Sequence, residues 1–340
     1  MRIADIYEKG RVLGTGTFGE VLLATHKQTG ETVAIKKIRI DDKKQGINVT
    51  ALREVKYLRE LHHPNIVTLK DVLSLKRGIA LVFEYMDTDL ENLIKDRSLV
   101  LSAADIKAYM LAMLRALKHC HEKWVVHRDI KPNNFLIGRD GSVKLTDFGL
   151  SRIYGSPERR YTNQVFARWY RPPELLYGST CYGPGVDVWA LGCVFAELLL
   201  RKPWFVGESD VEVLSKIFSA LGTPKDKDWA GLKCLPGFVA FRERDAPPLK
   251  SIFPGVENEA LELLARMVCL DPRRRITAAD ALSHSYFKVK PAPTEPEKLP
   301  KPHILEEHVQ ERKRSMASEE DSEPSAKMAK LDKDLVKSLF

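Results

Sequence analysis

From residue 7 to about residue 86 the apolar positions fall in short runs rich in β-formers. The runs are Gly10-Arg11-Val12-Leu13, Glu20-Val21-Leu22-Leu23-Ala24 and Thr32-Val33-Ala34-Ile35-Lys36, with two further strands expected around 66–73 and 79–84. One helical period interrupts them: Leu52, Val55, Leu58 and Leu61 recur along residues 50–61, with Asn48 or Thr50 able to cap the start and His63-Pro64-Asn65 closing it. Beyond Met86 the period becomes helical, over 90–95, 103–121, 186–200, 210–221, 257–268 and 278–282. A single hairpin is expected within that stretch, Phe135-Leu136-Ile137 against Val143-Lys144-Leu145, turned by Gly138-Arg139-Asp140-Gly141. A β-rich first third and a helical remainder make an α+β chain of two lobes with a cleft between them: residues 1–86, then 87–287. From residue 288 to 340 prolines and blocks of charge imply a disordered tail.

Composition narrows the class. At 44% hydrophobic and 29% charged, the chain has material for a sizeable core. The apolar run from Val188 to Leu200 is broken by Gly192 and Glu197 and is too short to span a bilayer. No apolar stretch follows Met1-Arg2-Ile3-Ala4-Asp5, so no secretory leader is expected. Five scattered cysteines form no C-x-x-C pair, which argues against a disulfide framework or a zinc site. The net charge is +8, yet the tail carries 11 basic and 11 acidic residues, so the excess lies before it. No basic stripe with interleaved aromatics occurs, and direct nucleic-acid binding is not expected. Phosphate groups would use the charge equally well.

Four motifs carry the chemistry. Gly14-Thr15-Gly16-Thr17-Phe18-Gly19-Glu20-Val21 is a G-x-G-x-x-G-x-V run between two expected strands, where glycines let backbone amides approach phosphate oxygens. Such a run also suits an ordinary glycine-rich hairpin; a dinucleotide-binding turn would need a helix next, and a strand follows. Val33-Ala34-Ile35-Lys36 places a lysine in an apolar strand, where it needs a carboxylate partner, and Glu54 on the next helix is the natural one. Then come His127-Arg128-Asp129-Ile130-Lys131-Pro132-Asn133-Asn134 and Asp147-Phe148-Gly149. In this order the four resemble the signature set of the protein kinases.

Over roughly residues 7–287 the chain is therefore similar to the eukaryotic protein kinases. The resemblance implies ATP as phosphoryl donor and Mg²⁺ as cofactor. It makes Asp129 the base that takes the substrate hydroxyl's proton, and Lys131 a charge neutraliser at the transferring group. It assigns Asn134 and Asp147 to the metal, Lys36 held by Glu54 to the phosphates, and Gly14, Gly16, Gly19 and Val21 to the nucleotide. Glu84 and Met86 resemble the hinge whose backbone reads adenine, with Phe83 as gatekeeper; the same apolar run also reads as a core strand.

A narrower resemblance lies in Asn48-Val49-Thr50-Ala51-Leu52-Arg53-Glu54, which is similar to the cyclin-contacting helix of cyclin-dependent kinases. Leu52 would enter the cyclin, or else be an ordinary core leucine. The stretch from Gly155 to Val165 resembles the activation segment of the kinases that activate other cyclin-dependent kinases. That implies phosphorylation at Ser156 and Thr162, with Arg53, Arg128 and Arg152 receiving the phosphate. Further implied are Ser/Thr-Pro substrates (a pocket near Val165 and Arg171), among them kinase activation loops and the RNA polymerase II C-terminal domain. The implied partners are a cyclin H-like subunit, a RING-type assembly factor and TFIIH, with a nuclear location and no membrane attachment; Arg312-Lys313-Arg314 fits the nucleus or a solvated patch. Asp187 and Trp189 resemble the anchor under the catalytic loop, and Arg275 should pair with Glu174. Two departures stand out: Pro172-Pro173-Glu174 replaces A-P-E, as in some elongation kinases, and Ala167 replaces a threonine that bonds the catalytic aspartate. Another cyclin-dependent kinase, or a pseudokinase scaffold, remains the alternative.

Overall fold

The structure is a computed structural model and describes residues 3–16, 19–39, 49–75, 78–155 and 160–302. A short helix α1 (Ile3–Ile6) precedes an antiparallel sheet of β1 (Tyr7–Gly16), β2 (Gly19–His26), β3 (Thr32–Arg39), β4 (Leu69–Leu75) and β5 (Gly78–Glu84), in spatial order β1-β2-β3-β5-β4. Helix α2 (Val49–Glu60) packs on one face of it. The strand period of two sorts the side chains. Val33 and Ile35 of β3, with Ala80 and Val82 of β5, form a small core on the outer face. Ala34 and Ile38, with Leu81 and Phe83, join Ala51 and Leu58 of α2, and Leu61 just after it, in the main core. Lys36 lies between Ala34 and Ile38 in this alternation, so its stem starts toward α2.

Helical structure dominates after residue 86. Strand β6 (Thr88–Asp89) leads into α3 (Leu90–Lys95), and α4 (Ala103–Glu122) follows. Asp89 caps α3 by accepting from Asn92 N, and Ser102 and Asp105 cap α4 reciprocally. Ile106, Tyr109, Met110, Met113, Leu114 and Leu117 form the buried stripe of α4. Two-residue β7 (Val125–Val126), hairpin β8 (Phe135–Ile137) and β9 (Val143–Leu145), and β10 (Arg152–Ile153) frame the catalytic segments; β10 pairs with β7. Then come α5 (Pro173–Leu176), α6 (Gly185–Leu200), α7 (Asp210–Leu221), α8 (Leu249–Ile252), α9 (Asn258–Met267) and α10 (Ala278–Leu282). Helix α6 is buried on all sides from Val186 to Leu198, which makes it the central post of this lobe. At its end Arg201, in a left-handed conformation, donates to the carbonyls of Leu93, Ile94 and Leu99, satisfying groups left open where α3 ends.

Three expectations need correction. The strand expected from residue 66 begins at Leu69; Ile66 instead bridges Leu145 in parallel, and Asn65 donates its side-chain amide to Val143 O at 2.9 Å, stitching one lobe to the other. The β7–β10 pair was not foreseen, because two residues on each side leave no period to read. The expected disorder of 288–340 fails for residues 288–302, which pack along α4. Lys107, fully buried, donates to the carbonyls of Val289 and Pro291 at 2.9 and 2.8 Å. Thr294 donates to Asp105 Oδ1 at 2.6 Å, Tyr109 donates to Pro300 O, and Leu299 is buried. These contacts are mainly to backbone carbonyls, which composition does not reveal. The rest of the tail, Ser156 and Asn48 lie outside the described residues.

Candidate active site

Lys36 Nζ donates to both oxygens of Glu54, at 2.9 and 3.0 Å, and lies 3.4 Å from Asp147 Oδ1. Glu54 reaches it from the buried stripe of α2, Ala51, Glu54 and Leu58, and is 2% exposed. Burial would lower the Lys36 pKa, but Glu54 and then Asp147 outweigh it and hold the ammonium above the usual lysine range. At Asp147 burial works upward, and Lys36, with His127 and Lys131, together outweigh it, holding the carboxyl below the usual carboxylate range. Asp147 adopts φ 64°, a left-handed value that is uncommon for a non-glycine residue. The next residue, Phe148, is fully buried, its ring edge-on to His127 at 4.9 Å.

The catalytic loop hangs from α6. Asp187 accepts from the backbone amides of His127 and Arg128, both at 2.8 Å, and lies 3.0 Å from His121 Nε2. Burial would raise its pKa, but the His121 bond and charge turn the shift downward. His127 Nδ1 accepts from Asp129 N, so the ring proton sits on Nε2, which donates to Thr146 O at 3.0 Å. Asp129 Oδ2 accepts from Lys131 Nζ at 2.8 Å and Asn134 Nδ2 at 2.9 Å; Asn134 Nδ2 also donates to Asp129 O at 2.7 Å. These bonds leave Asp129 Oδ1 and Asn134 Oδ1 without a partner among the described residues. Asn134 O in turn accepts from Thr146 N, beside Asp147.

The glycine turn lies over the same strand. Gly14 pairs with Val21 and Gly16 with Gly19 across β1 and β2, and Val21 faces Lys36 across β2 and β3. Gly19 has φ 142°, and a Cβ there would fall 1.8 Å from Lys37 O, so only glycine fits. At Gly14 a Cβ would meet open space. On the opposite side, the Glu84 carboxylate is bound by Lys144 Nζ, at 2.8 Å to each oxygen, and by Thr68 N at 2.7 Å. The Glu84 carboxylate is therefore engaged within the protein. The Met86 N–H and C=O have no backbone partner among the described residues. Neither Thr68 nor Lys144 stood out in the sequence, since no spacing links them to Glu84.

The remaining site residues are placed as follows. Arg128 is 1% exposed and donates through Nε to Leu150 O at 2.7 Å and through Nη1 to Tyr182 Oη at 2.9 Å. Arg152 lies on β10 opposite Val126, and half-buried Arg53 precedes Glu54 on α2. Thr162 is exposed and, among the described residues, is linked to Arg128 through Tyr182, which donates to Thr162 O at 2.6 Å. Leu52 is 47% exposed, which removes the core-leucine reading. Arg275 does pair with Glu174, at 2.8 and 3.1 Å. Pro172-Pro173-Glu174 is accommodated because Pro173 opens α5, where no amide is needed. A cavity of about 780 Å³ walled by Tyr154, Tyr182, Trp229 and Arg275 lies below the activation segment, outside this cluster.

Comparison with known proteins places this geometry. The protein kinase domain model matches residues 7–287. The chain is 56% identical over 301 residues to cyclin-dependent kinase D-1 of Oryza sativa subsp. japonica, spanning 88% of this chain and 71% of that protein. It is 49% identical over 311 residues to cyclin-dependent kinase 7 of Xenopus laevis, spanning 91% and 88%. Among solved structures it resembles a chain of the CAK complex of Chaetomium thermophilum bound to ATP-γ-S, with a TM-score of 0.83, 45% identity, and coverage of 88% of this chain and 96% of that one.

Proposed function

The chain belongs to the protein kinase family, as a cyclin-dependent Ser/Thr protein kinase, and from that premise we propose that it carries the γ-phosphoryl group of ATP to Ser or Thr followed by Pro. One observation carries the reading: Asp129, Lys131 and Asn134 form one hydrogen-bonded group, linked through Thr146 to the Lys36–Glu54–Asp147 cluster.

Each residue then has a task. Asp129 Oδ1, the oxygen left open, takes the proton of the substrate hydroxyl. That hydroxyl oxygen bonds to the γ-phosphorus as the bond to the bridging oxygen breaks and ADP leaves. Lys131 sets the carboxylate's direction and balances charge on the moving group. Lys36 holds the non-reacting phosphates, and the Met86 backbone takes the adenine edge. Asn134 Oδ1 and the Asp147 carboxylate are two hard oxygen donors that would hold Mg²⁺, which would supply neutralisation of the phosphate charge.

Selection of Ser/Thr-Pro is supported by Phe166, at φ 65°, whose carbonyl accepts from Arg171 Nη2 at 3.2 Å while Arg171 Nε donates to Val165 O at 2.9 Å. A residue after the phosphoacceptor finds those carbonyls occupied, and proline has no N–H to leave unsatisfied. The named relatives support substrates among the activation loops of other cyclin-dependent kinases and the RNA polymerase II C-terminal domain. Their names and the CAK-complex neighbour support a cyclin as partner; we propose further that this cyclin is cyclin H-like, that a RING-type assembly factor and TFIIH join it, that Thr162 and Ser156 are phosphorylated, and that the kinase works in the nucleus.

The test is transfer from labelled Mg-ATP to a polymerase-tail peptide and to a kinase bearing an unmodified activation-loop Thr. Transfer to Ser/Thr-Pro that drops at least ~10²-fold in Asp129→Asn is expected. A folded chain with no transfer, or with equal rates in the variant, refutes the catalytic assignment. Mass spectrometry of the co-purified complex tests the partners.

A further inference from the structure

What joins the catalytic loop to Thr162 is a tyrosine. Arg128 Nη1 donates to Tyr182 Oη at 2.9 Å, and Tyr182 donates to Thr162 O at 2.6 Å. The direction of both bonds is forced, since a guanidinium can only donate and a carbonyl can only accept. The phenol thus uses its one proton and a lone pair to bridge two segments. We infer that Tyr182 stands in for a phosphate: before Thr162 is modified, its hydroxyl locks the activation segment onto Arg128, making Tyr182 a positioning residue for the transfer reaction.

The surroundings suit that role. Arg128 cannot shift to follow the segment, because its own amide is fixed on Asp187, its Nε on Leu150 O, and its carbonyl accepts from Phe166 N at 3.0 Å. Asp129 is the next residue, so whatever steadies Arg128 steadies the base. On the other side, Tyr161 N donates to Thr180 O at 2.8 Å and the Tyr161 and Tyr182 rings lie 5.2 Å apart. The segment at 161–162 is therefore held to 180–182 by packing that survives loss of the hydroxyl, and among the described residues the Tyr182 hydroxyl is what links Thr162 to the Arg128 guanidinium. A phosphate on Thr162 would bring charge-assisted bonds to the same guanidinium and make the phenol's bond redundant.

The inference rests on Thr162 as the modified residue and Arg128 as a residue that donates to its phosphate, and the experiment separates the two. The full-length chain with its bound cyclin is prepared phosphatase-treated and Thr162-phosphorylated, each as wild type and Tyr182→Phe. Peptide turnover and the KM for ATP are measured. Phenylalanine keeps the ring, so melting should match wild type closely. Loss of one bond to a charged group should lower kcat/KM for the peptide about tenfold in the dephosphorylated form, and less than about twofold in the phosphorylated form. The KM for ATP should stay within about twofold, which a general loosening of the fold would not allow. Equal losses in both forms overturn the inference, as does no loss in the dephosphorylated form or a dephosphorylated wild type without turnover. A wild type indifferent to phosphorylation, with the Tyr182→Phe loss confined to the dephosphorylated form, supports Tyr182 and strikes only the reading that Thr162 phosphorylation is activating.

Discussion

Tyr170 donates its hydroxyl to Glu197 Oε2 at 2.6 Å, inside the lobe built around α6. Burial is the main reason the Glu197 carboxyl is pushed up from 4.5 to about 6; the tyrosine opposes the shift and Glu91 adds to it. A carboxyl with a raised folded pKa binds its proton more tightly when folded. Its stabilising contribution is therefore complete below about 4.5 and lost as the pH rises through about 6. Glu197→Gln, which can still accept from Tyr170, should raise stability at pH 8 by about 2 kcal/mol. Thermal melts at pH 8 and pH 5 check it: the gain should shrink toward zero at the lower pH, and an equal gain at both would show that Glu197 does not titrate there.

Glu54→Gln tests the pair that fixes Lys36. The ammonium would keep Asp147 but lose its closest charge. Desolvation then acts with less opposition, so the lysine pKa falls. Activity should drop on the order of 10²-fold in kcat/KM, and the alkaline limb of the pH profile should move to lower pH. Unchanged activity with an unmoved limb would mean that Glu54 does not hold Lys36 in the working enzyme.

How much of this was legible in the sequence depends on the range over which each feature is encoded. Residues 90–95, 210–221 and 278–282 show their bounds locally, because Asp89, Ser209 and Thr277 cap helices whose apolar faces follow within a turn. The β8–β9 hairpin is likewise local. Lys36, Glu54, Asp129, Asn134 and Asp147 were readable as motifs, and the strand period even gives Lys36 its side of the sheet. What was hidden depends on distant partners. Tyr182 meets Arg128 across 54 residues and Lys144 meets Glu84 across 60, and neither has a motif. Residues 288–302 misled for a different reason: proline and charge read as disorder, while burial of Leu299 and backbone carbonyls holds the segment in place.

That segment makes a further prediction. Gly141, at φ 80°, lies so close to it that a Cβ would fall 1.6 Å from Pro296 O. A chain ending at Phe287 should be less stable than one ending at Pro302 by about 2–4 kcal/mol, from the buried leucine and the lost hydrogen bonds. Gly141→Ala in the longer chain should lose part of the same stability. Denaturant unfolding measures both, and equal midpoints for the two truncations would show that the segment adds nothing.

Leu52 shares α2 with Glu54 but points the other way: the glutamate is buried and the leucine is 47% exposed. An exposed leucine costs little to replace, and Leu52→Asp should alter the stability of the isolated chain by no more than about 0.5 kcal/mol. If the leucine enters a cyclin, the same change puts an unpaired charge into an apolar contact, where losses of about 2–4 kcal/mol are typical of interface anchors. Binding should then weaken at least ~30-fold, and activity should fall in step. Calorimetry of the chain with a cyclin H-like subunit separates these outcomes. Equal affinity for wild type and variant would leave Leu52 an ordinary surface residue and remove the main support for docking on α2.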